Sequence, residues 1–181
     1  MGILETLVKQ TESINDFIGR VVSWAILGVV LITFLVAILR YVFNLGWIQL
    51  QESYMWLHGI LFTSAMGYAF LHDSHVRVDI FYRAASTRYK AWVNLVGTII
   101  FLFPTLGMIW WTCYPYVIIS WQRLETSMEA GGLPALYLLK SFLLVLVAVL
   151  LLQGIAVISR CILVLRGTTK YAEPFDSSQV V

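Results

Sequence analysis

Chemistry in this 181-residue chain would have to come from three histidines, two cysteines and one carboxylate at the edge of an apolar run. His58 and His72 stand fourteen residues apart and share one side of a helix. That spacing can present two imidazoles to two haems stacked across a membrane, but each haem needs a second axial ligand. The third histidine, His75, falls in a connecting segment, so a haem here would need Met or Cys opposite. Glu52 is the carboxylate that borders a span. Acids within membrane segments are functional candidates, yet the first turn of a helix also favours an acid through the macrodipole. Two readings follow: a terminal carboxylate with interfacial water, or a contact to a partner protein. A proton-driven exporter wants its acid at mid-depth, and no span holds one there. The run His75-Val76-Arg77-Val78-Asp79-Ile80 alternates polar and apolar residues. It reads either as a surface segment with a weak Arg77–Asp79 pair or as a polar row fixing the loop against a partner. Cys113 and Cys161 are placed near opposite membrane surfaces, too far apart to bridge. Phosphate-binding loops, nucleophile–base spacings and metal-ligand clusters are absent from the sequence. The chain is therefore read as non-catalytic, without a cofactor or metal of its own.

The elements that position these residues are membrane helices. The composition is 60% hydrophobic and 12% charged, with net charge +2 and mean hydropathy +0.82, well beyond the balance of soluble domains. The pattern predicts an all-α integral membrane protein with four tilted spans, at about 20–43, 49–72, 91–120 and 137–162. Residues 1–166 form one membrane domain and 167–181 a polar tail. The third run, from Ala91 to Gln122, is too long for an upright span, and Pro104 and Pro115 interrupt it. One strongly tilted or kinked span is expected there, or a span that emerges from the membrane near Tyr114-Pro115. Residues 1–19 are amphipathic, with Ile3, Leu4, Leu7, Val8, Ile14, Phe17 and Ile18 at helical spacing opposite Glu5, Lys9, Glu12 and Asp16. They predict a helix lying in the membrane surface, the alternative being the solvated start of the first span. The N-terminus lacks the pattern of a cleaved signal peptide.

On the second span Glu52, Trp56, Gly59, Thr63 and Gly67 fall within about 90° of arc. Small residues let backbones approach closely where lipid supplies no hydrophobic drive. This face, opened by Trp47, is expected to touch protein, within the chain or beyond it. Gln153 lies inside the fourth span and is expected to hydrogen-bond a neighbouring helix. Lys9, Arg20, Arg77, Arg83, Arg88, Lys90, Arg160, Arg166 and Lys170 lie on one side of these spans, against Arg40, Arg123 and Lys140 on the other. Positive charge stays inside, which places both termini in the cytoplasm.

Taken in order, several of these residues resemble a known family. Trp47 and Glu52 open the second span, small residues follow to Gly67, and His75 precedes the Val78-Asp79 pair. Later come Gly132-Leu133-Pro134, Leu139-Lys140 and Leu152-Gln153-Gly154. Over about residues 15–165 this is similar to the small membrane subunit of TRAP transporters, the DctQ-like proteins. Gln51 departs from the pattern, where many members carry a second acid. The resemblance implies a bacterial or archaeal inner-membrane protein in a sodium-driven, tripartite uptake system for an organic acid. Its partners would be a large elevator-type membrane subunit of about twelve spans, which holds sodium and substrate, and a periplasmic substrate-binding protein. The small subunit would stabilise the fixed scaffold of the large one. From composition alone, a membrane anchor of a respiratory enzyme is the alternative. Trp47, Glu52, Trp56, Gly59, Thr63, Gly67, His75, Arg77, Asp79 and Gln153 are the candidate packing or partner residues.

Overall fold

The fourth apolar run folds as a 30-residue helix, and most of the others are arranged around it. The computed structural model describes residues 2–74 and 85–171, with the backbone alone at Thr169. All regular structure among these residues is helical. In chain order the elements are α1 (Ile3–Ser23), α2 (Ala25–Tyr41), α3 (Ile48–Leu71), α4 (Thr87–Gly97), a π turn (Thr98–Leu102), α5 (Phe103–Gln122) and α6 (Leu136–Leu165). A single 3₁₀ turn, Thr169–Tyr171, follows. α6 packs against α1, α3, α4 and α5, while α2 packs chiefly against α3.

α1 and α2 are joined through Trp24, whose backbone stays helical at φ −62° and ψ −21°. Residues 3–41 therefore make one long helical run. Gly28 lies against Leu57, Gly19 against Tyr68, and Asp16 against His72. The numbers fall on one chain as they rise on the other, so this run is antiparallel to α3. The amphipathic stretch is the first half of that run. Its buried residues are Val8, Thr11, Asn15 and Gly19. Ile3, Leu7, Ile14, Phe17 and Val21 are exposed. α1 thus has three faces: apolar outward, charged, and a small or polar stripe against α3 and α6.

The third run, Thr87–Gln122, is helical throughout. Its irregularity is the π turn directly before Pro104, which sits at the start of α5. Proline has no N–H to donate, and its ring crowds the carbonyl four residues back; a wider turn at that point relieves both. Pro115 lies inside α5 without a break in the helix. Of the two prolines, Pro104 is the one that follows the irregular turn.

Three helices end in the same cap. After α3, α5 and α6 the residues Asp73 (φ 57°), Leu124 (φ 46°) and Gly167 (φ 91°) turn left-handed. The N–H groups of Ser74, Glu125 and Thr168 reach back to the carbonyls of Ala69, Ser120 and Leu163, a Schellman arrangement. Only Gly167 adopts this backbone without a side-chain penalty.

Three helical runs among the described residues are long and apolar enough to cross a membrane: Ile3–Tyr41, Thr87–Gln122 and Leu136–Leu165. α3 is 24 residues long, but Gln49, Gln51, Glu52, Ser53 and His58 lower its hydropathy.

Candidate functional site

Polar side chains inside this bundle form three clusters, and each ties helices together. The first lies where α3 and α6 begin. Glu52, one turn into α3, accepts from the Ser127 hydroxyl and, at 2.5 Å, from the Leu133 N–H. Ser127 and Leu133 belong to the connection between α5 and α6, so one carboxylate clasps that connection at two points. Gly132 allows this close approach: a Cβ there would collide with Ser127 Oγ and stand 2.8 Å from Glu52 Oε2. Beside it Glu125 accepts from Ser120 Oγ at 2.6 Å and from Lys140 Nζ at 2.5 Å. Those two donors hold the Glu125 carboxyl below the usual carboxylate range. Lys140 also stands 4.0 Å over the Tyr116 ring. Trp121 donates to Ser141 Oγ at 2.8 Å and packs on Tyr137.

The second cluster is central. Asn15 of α1 donates to Gln153 Oε1 at 2.9 Å and to the Val149 carbonyl at 3.3 Å. Both amide side chains are almost fully buried. Asn15 Oδ1 has no hydrogen-bond partner among the described residues and lies against Gly67. A Cβ on Gly67 would stand 2.7 Å from that oxygen and 3.0 Å from Val149 Cβ. Gly67 is therefore a point of close approach between α3 and both α1 and α6. Across α6, a Cβ on Gly154 would meet the Phe103 ring at 2.8 Å, so α5 also approaches closely.

The third cluster is at the far end of α6. Arg160 pairs with Glu12. Asp16 pairs with Arg20 at 2.8 Å and with His72 at 3.3 Å, and the His72 ring lies 4.2 Å from Tyr68. Between α3, the π turn and α6 is an open cavity of about 560 Å³, lined by residues that include Phe101, Thr98, Gln153 and Arg160.

The residues singled out from the sequence are placed as follows. Glu52, Gly59 and Gly67 turn toward α6 and its preceding connection, with Leu139 Cδ1 3.3 Å from a Gly59 Cβ. Thr63 bonds back to the Gly59 carbonyl at 2.7 Å, and Trp56 is half-buried. Trp47, the residue before α3, is 61% exposed. Gln153 joins the central cluster. His75, Arg77 and Asp79 lie outside the described residues. Sequence reasoning passed over Asn15, Ser127, Glu125 and the Glu12–Arg160 pair. Asn15 had one usable signal, since it repeats with Val8, Thr11 and Gly19 at helical spacing.

Chemically, these arrangements bind the chain to itself. Among the described residues, no group of three or more His, Cys, Asp or Glu is placed to hold a metal ion. Neither the curated proteins nor the solved structures gave a match. A family model did match, over residues 29–164: "Tripartite ATP-independent periplasmic transporters, DctQ component". That range takes in α3, α5, all but the last residue of α6, the Glu52 clasp and Gln153. The family works with a large membrane subunit and a periplasmic binding protein. On this match over most of its length, the chain belongs to the DctQ family, the small membrane component of TRAP transporters.

Proposed function

We propose that this chain is a non-catalytic scaffold subunit, which widens and anchors the immobile part of a large elevator-type subunit in sodium-coupled uptake of an organic acid. One observation carries the reading. The buried and half-buried polar groups Glu52, Glu125, Asn15, Gln153, Glu12 and Arg160 are bonded between segments of the chain itself. A subunit that spends its polar groups on internal clasps is suited to rigidity. Coupling to sodium and recognition of the acid then fall to the large subunit.

In this reading α3 is the fourth span. Its 24 residues reach about 36 Å, enough for a hydrocarbon core. Part of what lowers its hydropathy, notably Glu52 and its small residues, faces protein. Four spans and the basic-residue distribution put both termini in the cytoplasm. The exposed arc Ile3, Phe17 and Val21 rests α1 on the membrane.

The test is uptake into membrane vesicles carrying the large subunit, with the binding protein supplied outside, with and without this chain. Substrate uptake that needs a sodium gradient and both membrane chains supports the reading. Full uptake without this chain overturns it, as does recovery of the native chain with a redox enzyme in place of a large membrane permease.

A further inference from the structure

A flank of α3 turned away from its clasp carries a histidine that none of the described residues satisfies. Met55 and Phe62 are 60% and 58% exposed, and His58 between them is exposed too. At 100° per residue the three fall on one arc. His58 has no hydrogen-bond partner among the described residues, whereas His72 on the same helix is tied to Asp16.

Depth makes this unusual. Gly28 packs against Leu57, and Gly28 lies within the charge-free run between Arg20 and Arg40. His58 is therefore beside the interior of that run, about 15 Å along α3 from its start. A neutral imidazole has one donor and one acceptor. Neither can be satisfied by acyl chains, and the short ring cannot reach an interface from there. Ionisable residues inside spans turn toward protein or water for this reason. The outward face of α2, with Ile26, Leu27, Val30, Leu31 and Phe34 exposed, makes no such demand and suits lipid.

We infer that the Met55–His58–Phe62 arc is the docking surface for a membrane helix of the large transporter subunit, with His58 hydrogen-bonded to a polar group on that helix. The assignment rests on the scaffold reading above and adds to it which side of the chain meets the partner. α5 offers the rival surface through Trp110, Trp111 and Tyr114, all exposed. Their polar atoms are the tips of amphipathic rings.

The experiment uses the chain co-expressed with its large subunit in native membranes. A photo-crosslinking amino acid is placed at Met55, at Phe62 and, for comparison, at Trp111. Adducts of the large subunit from Met55 and Phe62 are expected. Separately, His58→Leu and His58→Gln are compared for retention of the large subunit and for stability of the isolated chain. Interhelical hydrogen bonds in membranes predict about three- to eighteen-fold weaker retention for His58→Leu, with His58→Gln close to the parent. The isolated His58→Leu chain should be no less stable than the parent. Equal loss of stability in the isolated chain would make His58 a structural residue and overturn the assignment. So would adducts with lipid alone, with a second copy of this chain, or from Trp111 only. If the parent chain retains no large subunit at all, the scaffold reading fails with it. If it does retain one but the arc gives no adduct, only the assignment of the face fails.

Discussion

Gly67→Ala and Gly59→Ala should differ sharply, although both glycines sit on the same face of α3. Each substitution gains about 1 kcal/mol of helix propensity, so that contribution cancels in the comparison. At Gly67 the new methyl stands 2.7 Å from Asn15 Oδ1 and 3.0 Å from Val149 Cβ. Val149 Cβ is fixed to the α6 backbone and cannot swing away. Asn15 must move, which costs its bonds to Gln153 and the Val149 carbonyl. Overpacking costs about 1–3 kcal/mol, and a lost hydrogen bond in a membrane about 0.6–1.7 kcal/mol. At Gly59 the methyl meets only the tip of Leu139, at 3.3 Å, which a small rotation relieves. The expected difference in stability is about 2–4 kcal/mol, or about thirty-fold or more in the unfolding equilibrium. The assay is denaturation of the purified chain by SDS in mild detergent, read by labelling of the buried Cys161 thiol. Asn15→Ala should absorb part of the Gly67→Ala penalty, because the clashing oxygen is gone, while the Val149 contact remains. Equal stability of the two single variants, or additive costs in the double variant, would refute this account of the crossing.

Three further outcomes follow from the other clusters. Glu52→Ala leaves the Leu133 N–H and the Ser127 hydroxyl without their acceptor. It should cost about 1–3 kcal/mol and raise protease cleavage within residues 124–135, whereas Glu52→Gln should leave the sodium dependence of uptake unchanged. Glu125 is held below the usual carboxylate range by Lys140 and Ser120. A depressed folded-state value means that its stabilisation is present above the unfolded carboxylate value and is lost as pH falls through the lower one. Thermal stability should therefore drop below about pH 4, and less so in Glu125→Gln, measured by a melting series across pH. Arg160→Ala leaves Glu12 half-buried without its partner. It should cost about 1–3 kcal/mol and raise amide hydrogen exchange in α1, with α3 unaffected.

The apolar runs were legible in the sequence because charge brackets them. Arg20 and Arg40, and Lys140 and Arg160, bracket two apolar runs that fold as helix, although Arg20, Lys140 and Arg160 themselves lie inside longer helical runs. By length α3 reads as a span, yet Gln49, Gln51 and His58 keep its hydropathy low, so composition alone does not select it. The break in the third run was narrowed to two prolines and no further. Which proline widens the turn depends on whether the carbonyl behind it can be satisfied, and that is a three-dimensional property. The polar clusters were harder to find. Gln153 signals a need for a partner, but its partner Asn15 stands 138 positions away. Glu52 likewise signals a need, and its donors lie 75 and 81 positions further on. A single sequence shows that such groups must be satisfied and does not show by what.

The first 23 residues show how lipid changes the meaning of an amphipathic pattern. In water, Ile3, Ile14 and Phe17 would mark the face that packs. Here they are exposed, and the packed face is Val8, Thr11, Asn15 and Gly19. Lipid accepts large apolar side chains as readily as a protein interior does, so they gain nothing by meeting another helix. Close approach and hydrogen bonding decide the packed face instead, and both favour small and polar residues. The same preference explains why α2 and α5 leave Phe34, Met108 and Trp111 outside while Gly67 and Gly154 are at the crossings. Applied to α3, it separates two kinds of outward residue. Met55 and Phe62 are at ease in lipid, and His58 is not. A partner helix is the simplest way to satisfy an imidazole held at that depth.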